Sequence, residues 1–343
     1  VVLERDVRPS GASVRNFGFV TVTGQAAGDC WAKARRSRDI WARIAPQAGI
    51  PIEHRGLVAA ALRPEAEAVI EAFVRTDMGR GCSVLTAARA RERVPALNKN
   101  ARAALWSPHE LRVESATAIP RLAAWLERRH DVVIQRGVAV YGVDPPHIET
   151  QRGSVRAGAA VVCPGDDFES LFPGRFARHA LTRCKLQMLR VDPAGHPLPA
   201  AGVMSDLGLA RYRGYADLPE AEALAARLDL ELPAHRANGV HLIVVASGDG
   251  SLVVGDSHDY DEAPDPFGDE VIDELILEEL DAVLRMPGRR VTSRWIGTYA
   301  SAADRWLLVD APRERVRLVT VTVGAGASTA FGIAEETVAD LFP

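Results

Sequence analysis

The chain alternates between stretches whose apolar residues recur at every second position and stretches where they recur at every third or fourth, the marks of strands and helices. It opens on Val1-Val2-Leu3, which runs into Glu4-Arg5-Asp6, a short apolar strand ending in an acid. Residues 24–43 are Ala-rich with mixed charges, and Trp31, Ala34, Ile40 and Trp41 fall roughly on one face, which predicts a helix. Residues 56–62 read as a strand bounded by Pro64. Residues 65–78 read as a helix carrying Ala66, Val69, Ile70 and Phe73 on one side. Residues 83–86 lead into a short charged helix that ends before Pro95, and residues 103–113 look like short strand-and-turn material interrupted by Pro108. A helix over residues 115–129 is capped by Ser115 and packs Ile119, Leu122, Ala123 and Leu126 inward.

Beyond it the pattern turns to strands. Residues 131–134 and 138–143 are strands, and residues 148–156 form a hairpin around Gly153. Residues 159–163 are wholly apolar, as buried parallel strands are, and end in Pro164-Gly165-Asp166. Strands follow at residues 185–191 and 239–246, a hairpin turn at Gly248-Asp249-Gly250, and a return strand at residues 251–255. Residues 269–284 form an acidic amphipathic helix. Strands at residues 306–310 and 316–323 then lead into the glycine-rich stretch 324–332 and a helix over residues 333–341. A strand, a glycine-rich turn and a helix start present free backbone N–H groups to whatever lies above them.

Composition narrows the class more than it names one. With 343 residues, 47% apolar and 25% charged, the chain has room for two domains and a large core. A net charge of −4 gives no footprint for nucleic acid or an anionic membrane. No apolar run reaches the length of a membrane span, and no signal peptide is visible. The nine histidines are scattered without metal-ligand spacing, so no metal is expected. Cys30, Cys82, Cys163 and Cys184 lie far apart and form no C-x-x-C pair, which fits reduced thiols in a cytoplasm.

The opening strand has a more specific reading. A carboxylate at the carboxyl end of such a strand accepts from a nucleotide ribose in dinucleotide-binding βαβ units, about 20 residues beyond a G-x-G-x-x-G loop. Here the chain begins on that strand, so the expectation is a nucleotide fold lacking its first strand, phosphate loop and helix.

An ordered series of motifs then resembles the D-amino acid oxidase, glycine oxidase and sarcosine oxidase superfamily of amine oxidoreductases. The series is Val-Val-Leu-Glu-Arg, Gly11-Ala12-Ser13-Val14-Arg15-Asn16-Phe17-Gly18, Leu111-Arg112-Val113-Glu114, Val161-Val162-Cys163-Pro164-Gly165, Arg294-Trp295-Ile296-Gly297 and the final glycine-rich turn, and it covers nearly the whole chain. The wording of residues 11–20, Cys184-Lys185-Leu186-Gln187-Met188 and Gly255-Asp256-Ser257-His258 resembles a subgroup associated with phosphonate catabolism.

The resemblance implies an α/β fold: an FAD-binding Rossmann-like domain from residues 1–46, 110–180 and 290–343, and an antiparallel-sheet substrate domain from residues 47–109 and 181–289. It implies non-covalent FAD, because no cysteine falls within residues 295–299. Glu4, Arg5, Ser13, Arg15, Asn16, Gly18, Val140 and Gly165 would line the nucleotide and flavin. The backbone of Gly326, Ala327, Ser328, Thr329 and Ala330 would stabilise the negative charge of the reduced ring. Amino-acid-oxidising members often carry an arginine two positions beyond the glycine of Trp-x-Gly, to pair with a substrate carboxylate. Tyr299 stands there, which points away from a simple amino acid oxidase.

A phosphonate needs several donors, and Lys185, Arg211, Tyr212, Arg213, His258 and Tyr299 are the candidates, with Tyr299, His258 and Lys185 nearest the chemistry. Sarcosine-oxidising members use a lysine on the strand before the turn to promote reaction with oxygen. Residues 252–255 hold none, so the electron acceptor is oxygen or another carrier. The expected activity is oxidation of a C–N bond in a small amine, 2-aminoethylphosphonate or a derivative, by hydride transfer to the flavin. Two alternatives stay open: a flavin-free remnant that only binds a small anion, and an oxidase of carboxylate substrates.

Overall fold

Eleven aligned residue pairs join the strands Thr182–Asp192 and Arg290–Ser301, the longest antiparallel pairing in the computed structural model, which describes residues 1–343. On the other edge of Thr182–Asp192 lie Asp259–Asp261 and Leu252–Gly255. The sheet then runs through Ile243–Ala246, Gly202–Met204, His54–Ala61, Ala103–Arg112 and Phe19–Val20, with Ser83–Thr86 also on Ala103–Arg112, for ten strands in all. One pairing, Gly202–Met204 with His54–Ala61, is parallel, so the sheet is mixed rather than purely antiparallel. Arg290–Ser301, at the start of the last stretch expected to be nucleotide-binding, is thus hydrogen-bonded into this sheet.

Both faces of the sheet are buried, which is why its strands read as nearly continuous apolar runs. Alternation sends Leu57, Ala59 and Ala61 to one core and Val58 and Ala60 to the other. The acidic helix Glu270–Val283, capped by the Asp269 carboxylate, lays Leu275, Ile276, Leu280 and Val283 on the second. Each such side chain, once fully buried, stabilises the fold by roughly 1.5–3 kcal/mol.

Two smaller layers carry the other two parallel pairings. Val2–Glu4 runs parallel to Ile134–Arg136, and Ala160–Val162 runs parallel to Val316–Val321, which is flanked by antiparallel Leu307–Arg313. No hydrogen-bonded strand joins the two parallel pairs; Leu3 packs instead on the cluster that holds Val162 and Leu318. Ala160–Val162 is therefore parallel as expected but not wholly buried, because Val161 faces outward at 44% exposure.

Several local expectations are corrected. Pro108 does not break its segment: Ala103–Arg112 is one strand. The register there jumps from Arg55–Leu111 to Leu57–Ser107, so the proline lies within an irregularity that asks no N–H of it. Ser115 is not the cap of Ser115–His130, since the cap position is Glu114 and the Ser115 hydroxyl donates to Val14 and Asn16 carbonyls. Residues 131–133 are not strand, because Asp131 ends that helix in the left-handed conformation. The last helix begins at Gly326, seven residues before Ile333. Gly332 accordingly lies inside it, where a Cβ would come within 2.9 Å of the Lys33 carbonyl on the packed helix Asp29–Gln47.

Candidate active site

One rung of the large sheet sets the site. Cys184 is aligned with Tyr260 on one neighbouring strand and with Tyr299 on the other, so the two tyrosines flank it. The Arg211 guanidinium donates to the Tyr260 hydroxyl at 2.8 Å and makes no ion pair with any carboxylate. Burial pushes the Tyr299 phenol well above its usual range, reinforced by Cys184 and Tyr260. Tyr299 also reaches toward the last helix, since a Cβ on Gly324 would meet its hydroxyl at 3.5 Å.

Beside this rung lies a cluster that the sequence did not announce. His241 and Asp256 exchange two backbone hydrogen bonds, at 3.1 and 3.0 Å, which brings residues fifteen apart in sequence face to face. His241 Nδ1 lies 3.1 Å from Asp256 Oδ1, yet both atoms are buried without a hydrogen-bond partner. His258 Nε2 lies 3.9 Å from Asp256 Oδ2. The far nitrogens are engaged: His241 Nε2 with the Tyr212 hydroxyl at 2.9 Å, and His258 Nδ1 with the Gly239 carbonyl at 3.0 Å. The His241, Asp256 and His258 ligand-type atoms all lie within 4.8 Å of one another, a convergence that the scattered histidines of the sequence did not suggest. Burial pushes both imidazoles well below their ordinary range, aided by neighbouring positive charge. Burial also pushes the Asp256 carboxyl up to about 7, with Arg211 opposing.

Of the residues expected to bind substrate, the structure brings Arg211, Tyr212, His258 and Tyr299 together and leaves out two. Lys185 is adjacent to Cys184 on its strand, so its side chain leaves by the opposite face, where it pairs with Asp265 at 3.0 Å. Arg213 is exposed and pairs with Asp217, the residue that caps the end of its own short helix. Asp256, His241 and Tyr260 are the residues that sequence reasoning missed. The one signal for them was the Gly255-Asp256-Ser257-His258 motif, whose aspartate has no visible role until the fold brings His241 to it.

Of the residues expected to hold the cofactor, Glu4, Arg5 and Gly165 lie at or just past the carboxyl ends of the parallel strands Val2–Glu4 and Ala160–Val162, where open α/β sheets bind ligands. Glu4 accepts from the Asp6 N–H at 2.8 Å through one oxygen and keeps the other. Arg5 pairs with Asp167 at 2.6 Å, which ties the end of the first strand to the turn after Gly165. Val140 stands near by at the start of the Val140–Asp144 strand. Residues 11–18 fold against the Trp295–Gly297 stretch, with Arg15 donating to the Ile296 carbonyl and Trp295 donating to the Arg15 carbonyl, both at 3.3 Å; Ser13 is exposed on this loop. Asn16 accepts from the Gly18 N–H at 2.6 Å, and at Gly18 (φ 64°) a Cβ would lie 1.8 Å from the Val113 carbonyl oxygen, so only glycine fits.

At the head of the Gly326–Leu341 helix, the Ser328 and Thr329 amides close on the Ala325 carbonyl. The Ser328 hydroxyl accepts from the Thr21 amide, and the Thr329 hydroxyl donates to Ala325. The Gly326 and Ala327 N–H groups precede the first helical bonds and are directed outward, and Ala330 lies exposed on the same turn. A Cβ at Gly165 or Gly326 would meet nothing within 4 Å, so both backbones border open space. Spare acceptor, open glycine backbone and helix-head amides together fit a nucleotide cofactor with an anionic group.

This arrangement is that of a flavin-dependent oxidoreductase. The chain belongs to the family of FAD-dependent oxidoreductases (DAO), whose match extends over residues 1–340, and FAD is its cofactor. The structure is similar to glycine oxidase from Geobacillus kaustophilus, with a TM-score of 0.75 at 18% identity over 99% of this chain and 86% of that one. It is similar also to glycine oxidase from Bacillus cereus, with a TM-score of 0.77 at 16% identity over 99% and 87% of the two chains. A third likeness is to FAD-bound L-α-glycerophosphate oxidase from Mycoplasma pneumoniae, with a TM-score of 0.73 at 13% identity over 99% and 87%. No curated protein matches the sequence. No helix is long and apolar enough to cross a membrane, and all four cysteines are free.

Proposed function

We propose that this enzyme oxidises the C–N bond of a small aminophosphonate, of the type of 2-aminoethylphosphonate. The observation that carries the reading is Arg211: a guanidinium among Tyr260, Tyr299 and Tyr212, hydrogen-bonded to a phenol and in ion-pair contact with no carboxylate, Asp256 being near enough only to feel its charge. A half-buried arginine without an anion awaits one, and its planar fork matches the oxygens of a phosphonate. The Tyr260 and Tyr299 hydroxyls add donors for a group with three oxygens. FAD, when bound, supplies the two-electron acceptor that removes hydride from the carbon beside nitrogen. The chain's own part is to hold the anionic end at Arg211, to present that carbon toward the head of the last helix near Gly324, and to exclude water behind Tyr299. The imine product hydrolyses to an aldehyde. Glu4, Gly18, Gly165 and the Gly326 and Ala327 amides are the residues proposed to hold FAD, without a covalent link; oxygen or another carrier reoxidises it. Four unpaired thiols support a reducing, cytoplasmic setting.

A second reading, oxidation of an amino acid, is supported by the likeness to the glycine oxidases. Competition separates the two. Under the first reading, methylphosphonate inhibits turnover at concentrations where acetate does not. Preferential inhibition by acetate would establish a carboxylate site instead.

A further inference from the structure

The same pocket holds a second charge without a partner, of the opposite sign. The Asp256 side chain is only 7% exposed, accepts no hydrogen bond from another residue, and has one oxygen orphaned beside His241. An ionised carboxylate in that position is strongly disfavoured unless a cation or a set of donors meets it. No ion pair links it to Arg211. A guanidinium and a carboxylate that share one site without forming an ion pair, the charge of the first still felt at the second, are together complementary to a zwitterion.

We propose that Asp256 receives the substrate's ammonium group and that His258 takes one proton from it, while Arg211 holds the anionic end. The proposal rests on the reading of Arg211 as the anion site and adds the other half of the receptor. Geometry suits His258 to the base role, and because burial and the Arg211 charge hold its imidazole low, the proton can rest there only with the Asp256 carboxylate ionised beside it. With Nδ1–H donating to the Gly239 carbonyl, Nε2 carries the lone pair, and it lies 3.9 Å from Asp256 Oδ2. In the step, an N–H bond of the ammonium breaks and an Nε2–H bond forms. The positive charge passes from substrate nitrogen to imidazole, where the Asp256 carboxylate stabilises it. The amine is left neutral, with the lone pair that departure of hydride from the adjacent carbon requires. His241 is a positioning residue: its backbone clasps Asp256 on both sides, and its ring is held by Tyr212 at 2.9 Å.

The test is anaerobic calorimetry of the FAD-loaded protein with two ligands that differ only in the amine, 2-aminoethylphosphonate and ethylphosphonate. Wild type is expected to prefer the amine by about 10- to 100-fold, the range a charge-assisted hydrogen bond carries. Asp256→Asn keeps the shape, and is expected to lose that preference while binding ethylphosphonate within about twofold of wild type. His258→Gln is expected to bind both ligands as wild type does but to slow flavin reduction, read by stopped flow. If wild type binds neither phosphonate, the reading of the anion site fails, and β-alanine against propionate then puts the same question to Asp256. An unchanged preference in D256N, with whichever anion binds, overturns the proposal. So does a stoichiometric transition metal in the purified protein that D256N abolishes, which would make His241, Asp256 and His258 its ligands.

Discussion

Asp206 and Asp256 are both buried aspartates, 0% and 5% exposed, each close to an arginine, yet their surroundings differ in kind. Asp206 accepts from the Leu62 amide at 3.1 Å and from Arg63 through both oxygens, at 2.9 and 3.1 Å, and Arg63 reaches on to Glu231. Its charge is met from several sides, and the result ties the Asp206–Leu209 turn to the end of the His54–Ala61 strand. Asp256 has two neutral imidazoles and no donor, while Arg211 has one phenol. A fold that satisfies one aspartate so fully and leaves another bare has closed the first site and kept the second open. Buried polar groups left unsatisfied in this way mark function more often than oversight.

The largest effect on stability is expected where the charges are closed. Asp206→Ala strips Arg63 of its buried partner and lowers unfolding free energy by about 3–5 kcal/mol, measurable by urea denaturation. A loss under about 1 kcal/mol would erase the contrast. Arg211→Met is expected to do the reverse. Stability stays within about 1 kcal/mol of wild type, while affinity for phosphonate ligands drops by about 100-fold, because a desolvated charge contact worth roughly 2–5 kcal/mol disappears.

Asp256→Asn brings out the difference through pH. Asp256 has its carboxyl pushed up to about 7 by burial, against an ordinary value of about 4. An acid whose folded-state pKa lies above its unfolded value weighs against folding once ionised. The penalty is absent below about pH 4, grows to about pH 7 and is constant beyond. The variant should therefore match wild type in melting temperature at pH 4 and gain on it steadily up to pH 7. A constant difference across that range would mean that Asp256 does not ionise within it. The smallest effects belong to the two excluded cations. Lys185→Met removes a pair with an exposed aspartate and Arg213→Ala removes an exposed pair between a short helix and its capping residue. Each should cost about 0–1 kcal/mol and leave phosphonate affinity unchanged.

The parts of the fold that could be read from sequence are those whose cause is local. Glu270–Val283 declares itself through apolar spacing and an Asp269 cap, and the hairpin at Gly248-Asp249-Gly250 through its turn residues. Pro108 misled because it sits among three residues of its own strand, 108–110, that bulge opposite the single Gly56 of the partner strand, and that register appears only once a segment 52 residues away is paired. Lys185 misled for a simpler reason: it neighbours Cys184 in sequence, and on a strand a neighbour points the other way. Tyr299, Arg211 and His258 were legible as chemistry in the right order along a familiar framework. Asp256 and His241 were not, because their meeting depends on the backbone pairing of two segments that carry no sign of each other.

Selection of an aminophosphonate by Arg211 is open to a single comparison. The FAD-loaded protein is titrated anaerobically with 2-aminoethylphosphonate, followed by the visible absorbance of the flavin, beside the same titration of R211M. Bleaching is expected in wild type and none, with flavin retained, in the variant at the same concentrations. Bleaching of wild type by glycine or sarcosine but not by the aminophosphonate, or equal bleaching of both proteins, would refute the assignment of Arg211 as the phosphonate site.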